Sequence, residues 1–136
     1  MPKFHGLVWW SELMTRDVPA AVDYYKSICG WEFDEMSMAE GGKYHVGKQD
    51  GRPVAGIMDM TPMKHLDGVP PHWFTYISVD DVNAATAETK ARGGEVMREP
   101  FDVPEVGQIA IMKDPGGAAV GLITPNVKEV NFPAEA

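Results

Sequence analysis

Hydrophobic and polar positions alternate along residues 6–14, "GLVWWSELM", as they do in a strand with one buried face. From Asp17 the period lengthens. "DVPAAVDYYKSICG" spaces its apolar residues as a helix does, and Asp17 is suited to accept from the free amides of the first turn. Pro19 falls where a missing N–H does no harm, and Gly30 is suited to end the helix. "WEFDEMSM", "KYHVGKQ" and "PVAGIMDM" then read as short strands, separated by turns at Gly41-Gly42 and Asp50-Gly51. The first half of the chain is β-α-β-β-β.

The second half repeats it. Asp17 falls on Asp81, Val18 on Val82, Ala20 and Ala21 on Ala84 and Ala85, and Gly30 on Gly94, each 64 positions on. Both halves close on Thr-Pro, at Thr61-Pro62 and Thr124-Pro125, here 63 positions apart. The repeat predicts a strand over 73–79, a helix from Asp80 or Asp81 to Arg92, and strands at "EVMREPF", "GQIAIMK" and "AAVGLIT". The modules are residues 5–62 and 72–125, joined by the proline-rich linker 61–72 into one domain, 1–125, with a loosely attached tail over 126–136.

Composition narrows the function. With 136 residues the two modules can share one core. A formal charge of −8 without a Lys/Arg cluster disfavours nucleic acid and anionic membrane surfaces, and no apolar run reaches the length of a span. Residues 1–6 are polar and do not read as a leader. Cys29 is the single cysteine; it excludes an internal disulfide, is expected as a buried core thiol, and suggests a cytoplasmic protein.

The tandem modules, the "D-V-x-x-A" that opens each helix, "Y-Y-x-x-x-x-G-W" at 24–31 and "D-P-G-G" at 114–117 resemble the vicinal oxygen chelate superfamily. That superfamily includes glyoxalase I, bleomycin-resistance proteins and extradiol dioxygenases. The resemblance covers about residues 5–125 and implies an α+β fold: two tandem βαβββ modules forming a curved eight-stranded sheet around a cleft. Family members habitually pair, so a homodimer is expected, which would also cover exposed strand edges. In metal-dependent members four cleft residues bind the ion, and the matching positions here are Trp10, Met58, Phe74 and Gly121. None is a His, Glu, Asp or Gln, so neither metal nor other cofactor is expected. The chain looks closer to the metal-lacking branch whose first strand reads "W-x-E-L-x-T-x-D", residues 10–17 here.

Strand alternation extends these positions. With Trp10 in the cleft go Val8 and Glu12, while Leu7, Trp9 and Leu13 face the helices. With Phe74 go His72, Tyr76 and Ser78, while Trp73, Ile77 and Val79 join the core. Met58, Gly56 and Met60 line the cleft from one last strand, and Gly121, Ala119 and Ile123 from the other. The substrate-binding set is Trp10, Met58, Phe74, Tyr76 and Gly121, an aromatic, Met-lined wall suited to a flat or apolar small molecule. Alternation does not assign Tyr44 or Met112 a face.

If Trp10 lies opposite Phe74 on antiparallel first strands, Glu12 lies opposite His72, a carboxylate–imidazole pair poised for proton transfer. The same two residues also read as a solvated strand end and the last residue of a linker. His5, His45 and His65 have no ligand spacing, and Asp114–Gly117 reads as a turn rather than a phosphate loop. Three functions remain. The leading one is a metal-free binder of a small molecule; the others are an enzyme of lyase, isomerase or dioxygenase type using Glu12 and His72 as acid–base pair or ligands, and a structural or regulatory module whose cleft recognises a partner.

Overall fold

The computed structural model describes residues 4–37, 42–104 and 106–126. Gly41, the end of the second expected strand at Met38 and residues 127–136 of the expected tail lie outside the described residues. The element order is β1 (Val8–Thr15), α1 (Val18–Cys29), β2 (Glu32–Ser37), β3 (Lys43–Gln49), β4 (Arg52–Asp59), a 3₁₀ turn (Lys64–Leu66), β5 (His72–Ser78), α2 (Val82–Ala91), β6 (Glu95–Val103), β7 (Gly107–Lys113) and β8 (Ala119–Pro125). The fold is α+β, with βαβββ occurring twice as the repeat predicts.

The chain divides into two compact units, Trp10–Trp73 and residues 74–126 with residues 4–9. In the first, the strand order is β2-β3-β4-β1; β3 pairs antiparallel with β2 and β4, and β1 runs parallel to β4. In the second, β7 pairs antiparallel with β6 and β8, and β5 runs parallel to β8. A parallel first-to-last pairing requires a crossover, and each helix supplies it.

Local chemistry sets the helix ends. Asp17 Oδ1 accepts from the Ala20 amide at 3.1 Å, and Asp81 Oδ1 accepts from Asn83 and Ala84 at 2.9 and 3.2 Å. Gly30 takes the left-handed conformation after α1. After α2 that role falls to Gly93 rather than Gly94, whose place in the repeat has another cause: a Cβ there would lie 2.7 Å from the Lys113 carbonyl oxygen. In the linker, the Arg16 guanidinium donates to the Leu66 and Val69 carbonyls, each at 2.8 Å.

Each unit buries apolar residues against its helix. Leu13, Ala55 and Ile57 are buried in the first unit, where α1 packs on β4. In the second, Val82 of α2 packs with Ala110 and Met112, joined by Val79, Val96, Val120 and Leu122. Full burial of a side chain such as Ile57 contributes about 1.5–3 kcal/mol. Two core expectations are corrected. Cys29 is exposed: it is the last residue of α1, a helix without a fully buried side chain. Trp73 is 40% exposed; its indole lies edge-on against Tyr25 of α1 and donates to the Tyr25 hydroxyl at 3.2 Å, which leaves one flank uncovered.

Candidate functional site around Glu12

Glu12 is a carboxylate in the middle of an apolar strand, and it is only 6% exposed. Alternation along β1 puts Trp10, Glu12 and Met14 on the face away from Leu13. The register sets Glu12 beside Gly56 and Met14 beside Met58 on β4, and Met58 in turn beside Tyr44 on β3. Tyr44 is two strands from Glu12, a separation of about 9–10 Å across the sheet. Its phenol crosses β4 directly over Gly56, where a Cβ would lie 1.6 Å from the hydroxyl oxygen. The missing side chain opens the path.

The outcome is a directed relay. Trp10 Nε1 donates to the Tyr44 hydroxyl at 2.9 Å, and that hydroxyl donates to Glu12 Oε2 at 3.1 Å. An indole nitrogen can only donate, so the phenol oxygen accepts from it and turns its own proton toward the carboxylate. Burial pushes the Glu12 carboxyl up from 4.5 to about 7, and the Tyr44 hydrogen bond offsets part of that rise. At neutral pH the group is poised between its acid and its base.

His72 opens β5, and its Nδ1 bonds the Pro70 carbonyl at 2.8 Å. The hydrogen-bond partner of Glu12 is therefore Tyr44 and that of His72 is a backbone oxygen; among the described residues the two are not hydrogen-bonded to each other. Phe74, Tyr76 and Gly121 come together in the second unit. The Phe74 and Tyr76 rings meet edge to face at 5.2 Å, and a Cβ on Gly121 would lie 2.3 Å from Tyr76 Cδ1. Gly121 thus does for Tyr76 what Gly56 does for Tyr44.

Register also revises the alignment of the last strands. Glu12 pairs with Gly56, while Tyr76, 64 positions on, pairs with Gly121. Gly121 therefore corresponds to Gly56, an offset of 65 rather than the 63 of the Thr-Pro ends. A slip of two keeps every side chain on its face, so Met58 stays with Gly56 on the Tyr44 side and its counterpart is Ile123. Met112 packs against α2, away from this face.

Five other features carry less chemistry. His5 pairs with Asp80 at 3.0 Å in the open, and His65 is exposed. His45 lies on the opposite face of β3 from Tyr44, with Nε2 3.3 Å from Glu35. Asp114 caps a turn by accepting from Gly116 and Ala118, each at 3.0 Å. A cavity of about 300 Å³ beneath α2 is lined by Ala85, Thr89, Met112, Val120 and Leu122. Of its charged lining residues, Glu88 and Arg92 pair with each other at 2.8 Å, and Asp114 is the turn cap.

The residues present do not fit the divalent ion of metal-dependent relatives. Trp10, Phe74 and Gly121 offer no oxygen or imidazole donor, and Met58 offers one thioether. Glu12 is a lone carboxylate among Trp10, Tyr44 and Gly56, and no three of His, Cys, Asp and Glu gather to hold an ion among the described residues.

Comparison with known proteins agrees with the architecture. The model of the Glyoxalase/Bleomycin resistance protein/Dioxygenase superfamily matches residues 7–122. The chain is 38% identical over 120 residues to "Putative glyoxylase CFP32" of Mycobacterium tuberculosis, covering 88% of this chain and 44% of that protein. It is 32% identical over 134 residues to the anthracycline biosynthesis protein DnrV of Streptomyces peucetius, covering 91% and 49%. The chain thus spans about half the length of the curated relatives it matches. Among solved structures, methylmalonyl-CoA epimerase from Mycobacterium tuberculosis superposes with a TM-score of 0.63 at 20% identity, over 90% of this chain and 89% of that one. At this identity the likeness shows the fold alone.

Proposed function

Because the chain belongs to the glyoxalase/bleomycin resistance/dioxygenase superfamily, a scaffold that hosts many activities, we propose that it binds a small, flat aromatic or apolar molecule without a resident metal or cofactor. The observation that supports this reading is the Trp10–Tyr44–Glu12 relay, a directed polar group set beside the Met14 and Met58 side chains. Ligand sites are built this way, with apolar area for affinity and few polar atoms for orientation. Phe74, Tyr76 and Gly121 are the corresponding aromatic group of the second unit. We place the protein in the cytoplasm as a homodimer; Tyr24 and Ile28 of α1 and Met36 of β2 are more than half exposed, apolar area that pairing would cover. Sedimentation at micromolar concentration tests the pairing, and a monomer alone would reject it.

A thermal-shift screen tests the binding. Flat polycyclic aromatics belong in it, since one relative is named for anthracycline biosynthesis. A ligand at a hundredfold excess over its Kd stabilises the fold by about 2.7 kcal/mol. The fluorescence response to a hit should vanish in Trp10→Phe. A panel without any hit, or a response that survives Trp10→Phe, counts against the reading.

The position of the Glu12 carboxyl near neutrality favours one alternative, an enzyme of lyase or isomerase type. In it Glu12 exchanges a proton with a carbon acid, and Tyr44, in place of His72, holds the carboxylate. Solvent deuterium entering a candidate carbon acid, and lost in Glu12→Gln, is the readout that separates catalysis from binding.

A further inference from the structure

Glu12 is bonded to nothing charged, and the ion pair that the register places on its face, Lys48 with Asp34, is closed on itself. Its hydrogen bond comes from a neutral phenol, and Oε1 accepts none among the described residues. The nearby cations are committed elsewhere. Lys43 pairs with Glu35 and Lys48 with Asp34, while Arg16 is spent on the Leu66 and Val69 carbonyls. Removing a carboxylate from water without a counter-ion is costly. A residue needed only to accept from Tyr44 would serve as well as Gln, whose amide oxygen accepts without ever ionising. A carboxyl retained there is explained if the missing charge arrives from outside.

The surroundings state what kind of charge it is. The relay fixes Oε2 and leaves Oε1; the Trp10 indole and the Tyr44 phenol are its other members, and Met14 and Met58 pair on the same face. Aromatic faces and thioethers solvate an organic cation but offer a hydrated metal ion little. Resting on the ligand-binding reading above, we propose that the Trp10–Tyr44–Glu12 group is the counter-ion site for an organic cation. The ligand's protonated or quaternary nitrogen docks at the Glu12 carboxylate while its apolar body lies on the Trp10 and Tyr44 rings. Binding by a cation then releases the proton that burial otherwise retains.

The probe is benzyltrimethylammonium, whose charge does not change with pH, beside neopentylbenzene, its uncharged isostere. Of the titratable groups on the surrounding strands, Tyr44 bonds Glu12, Lys48 is paired with Asp34, Glu32 sits beside Lys48 at the start of β2, and Arg52 starts β4. His45 and Glu35 pair with each other on the opposite face, and His72 is bonded to Pro70. At pH 8.5 the ammonium should bind at least tenfold more tightly than the hydrocarbon. Between pH 8.5 and pH 6 it should weaken about tenfold as Glu12 takes up a proton, and the hydrocarbon should not change. In Glu12→Gln the two probes should bind alike at every pH. Should that variant not fold, Tyr44→Phe serves instead: it keeps the carboxylate, removes the bond that favours ionisation, and should move the loss of ammonium binding to higher pH. An ammonium that binds no better than the hydrocarbon, or equally at both pH values, overturns the proposal. Hydrocarbon binding alone would do so while sparing the broader ligand-binding reading, which falls only if the aromatic panel fails too.

Discussion

Replacing Glu12 by Gln should make the protein more stable in alkali than the parent, with little difference in acid. The sign follows from linkage. The Glu12 carboxyl lies at about 7 in the folded state against 4.5 ordinarily, so between those values the folded protein holds a proton that the unfolded chain releases. Its contribution is complete below 4.5, declines as pH rises by about 1.4 kcal/mol per unit, and is gone above about 7. Over that window the lost stability amounts to roughly 3 kcal/mol. Gln never ionises, and its amide oxygen still accepts from Tyr44. For a chain of this length that is roughly a 10 °C gap in Tm opening between pH 4.5 and pH 8.5. Urea unfolding of both proteins at half-unit steps measures the gap. Glu35, whose carboxyl is held below its ordinary value first by its hydrogen bond to Lys43, makes both proteins lose stability as pH falls and cancels in the difference. A difference that stays constant from pH 5 to 9 would refute the reasoning, for it would mean that Glu12 is solvated and ordinary.

Gly56→Ala puts a methyl where the Tyr44 hydroxyl lies, so it should cost about 1–3 kcal/mol in a urea melt and abolish the pH dependence of Trp10 fluorescence near neutrality. Retention of that dependence would mean that the phenol reaches Glu12 by another route. Trp73→Ala should cost about 1–2 kcal/mol rather than the 3–5 of a fully buried aromatic, because its indole is 40% exposed; a loss above 3 in equilibrium unfolding would contradict this. Asp81→Ala removes the acceptor for two α2 amides and should cost about 0.5–2 kcal/mol, whereas Asp81→Asn, which caps as well, should recover most of it in the same melt.

Short-range chemistry was legible from the order of residues alone. Asp17 and Asp81 accept from amides two or three residues ahead, and the left-handed pair Asp50-Gly51 closes the β3–β4 hairpin. Alternation along eight residues set Trp10 and Glu12 on one face, and the repeat of those local signals gave the order βαβββ twice. Tyr44 escaped because its face depends on a count made across strands. From the Asp50-Gly51 turn, Gln49 pairs with Arg52 and Lys48 with Pro53, a register that would set Tyr44 opposite Ile57, toward the helix. A bulge after Gly47 adds one residue on β4, and from there Gly47 pairs with Ala55 and Tyr44 with Met58. That single residue turns the phenol over Gly56 and onto Glu12, in place of the His72 that symmetry suggested. The exposure of Trp73 and Cys29 and the burial that lifts the Glu12 carboxyl have the same origin. Burial and register are sums over residues far apart in the chain, so only the packed structure fixes them.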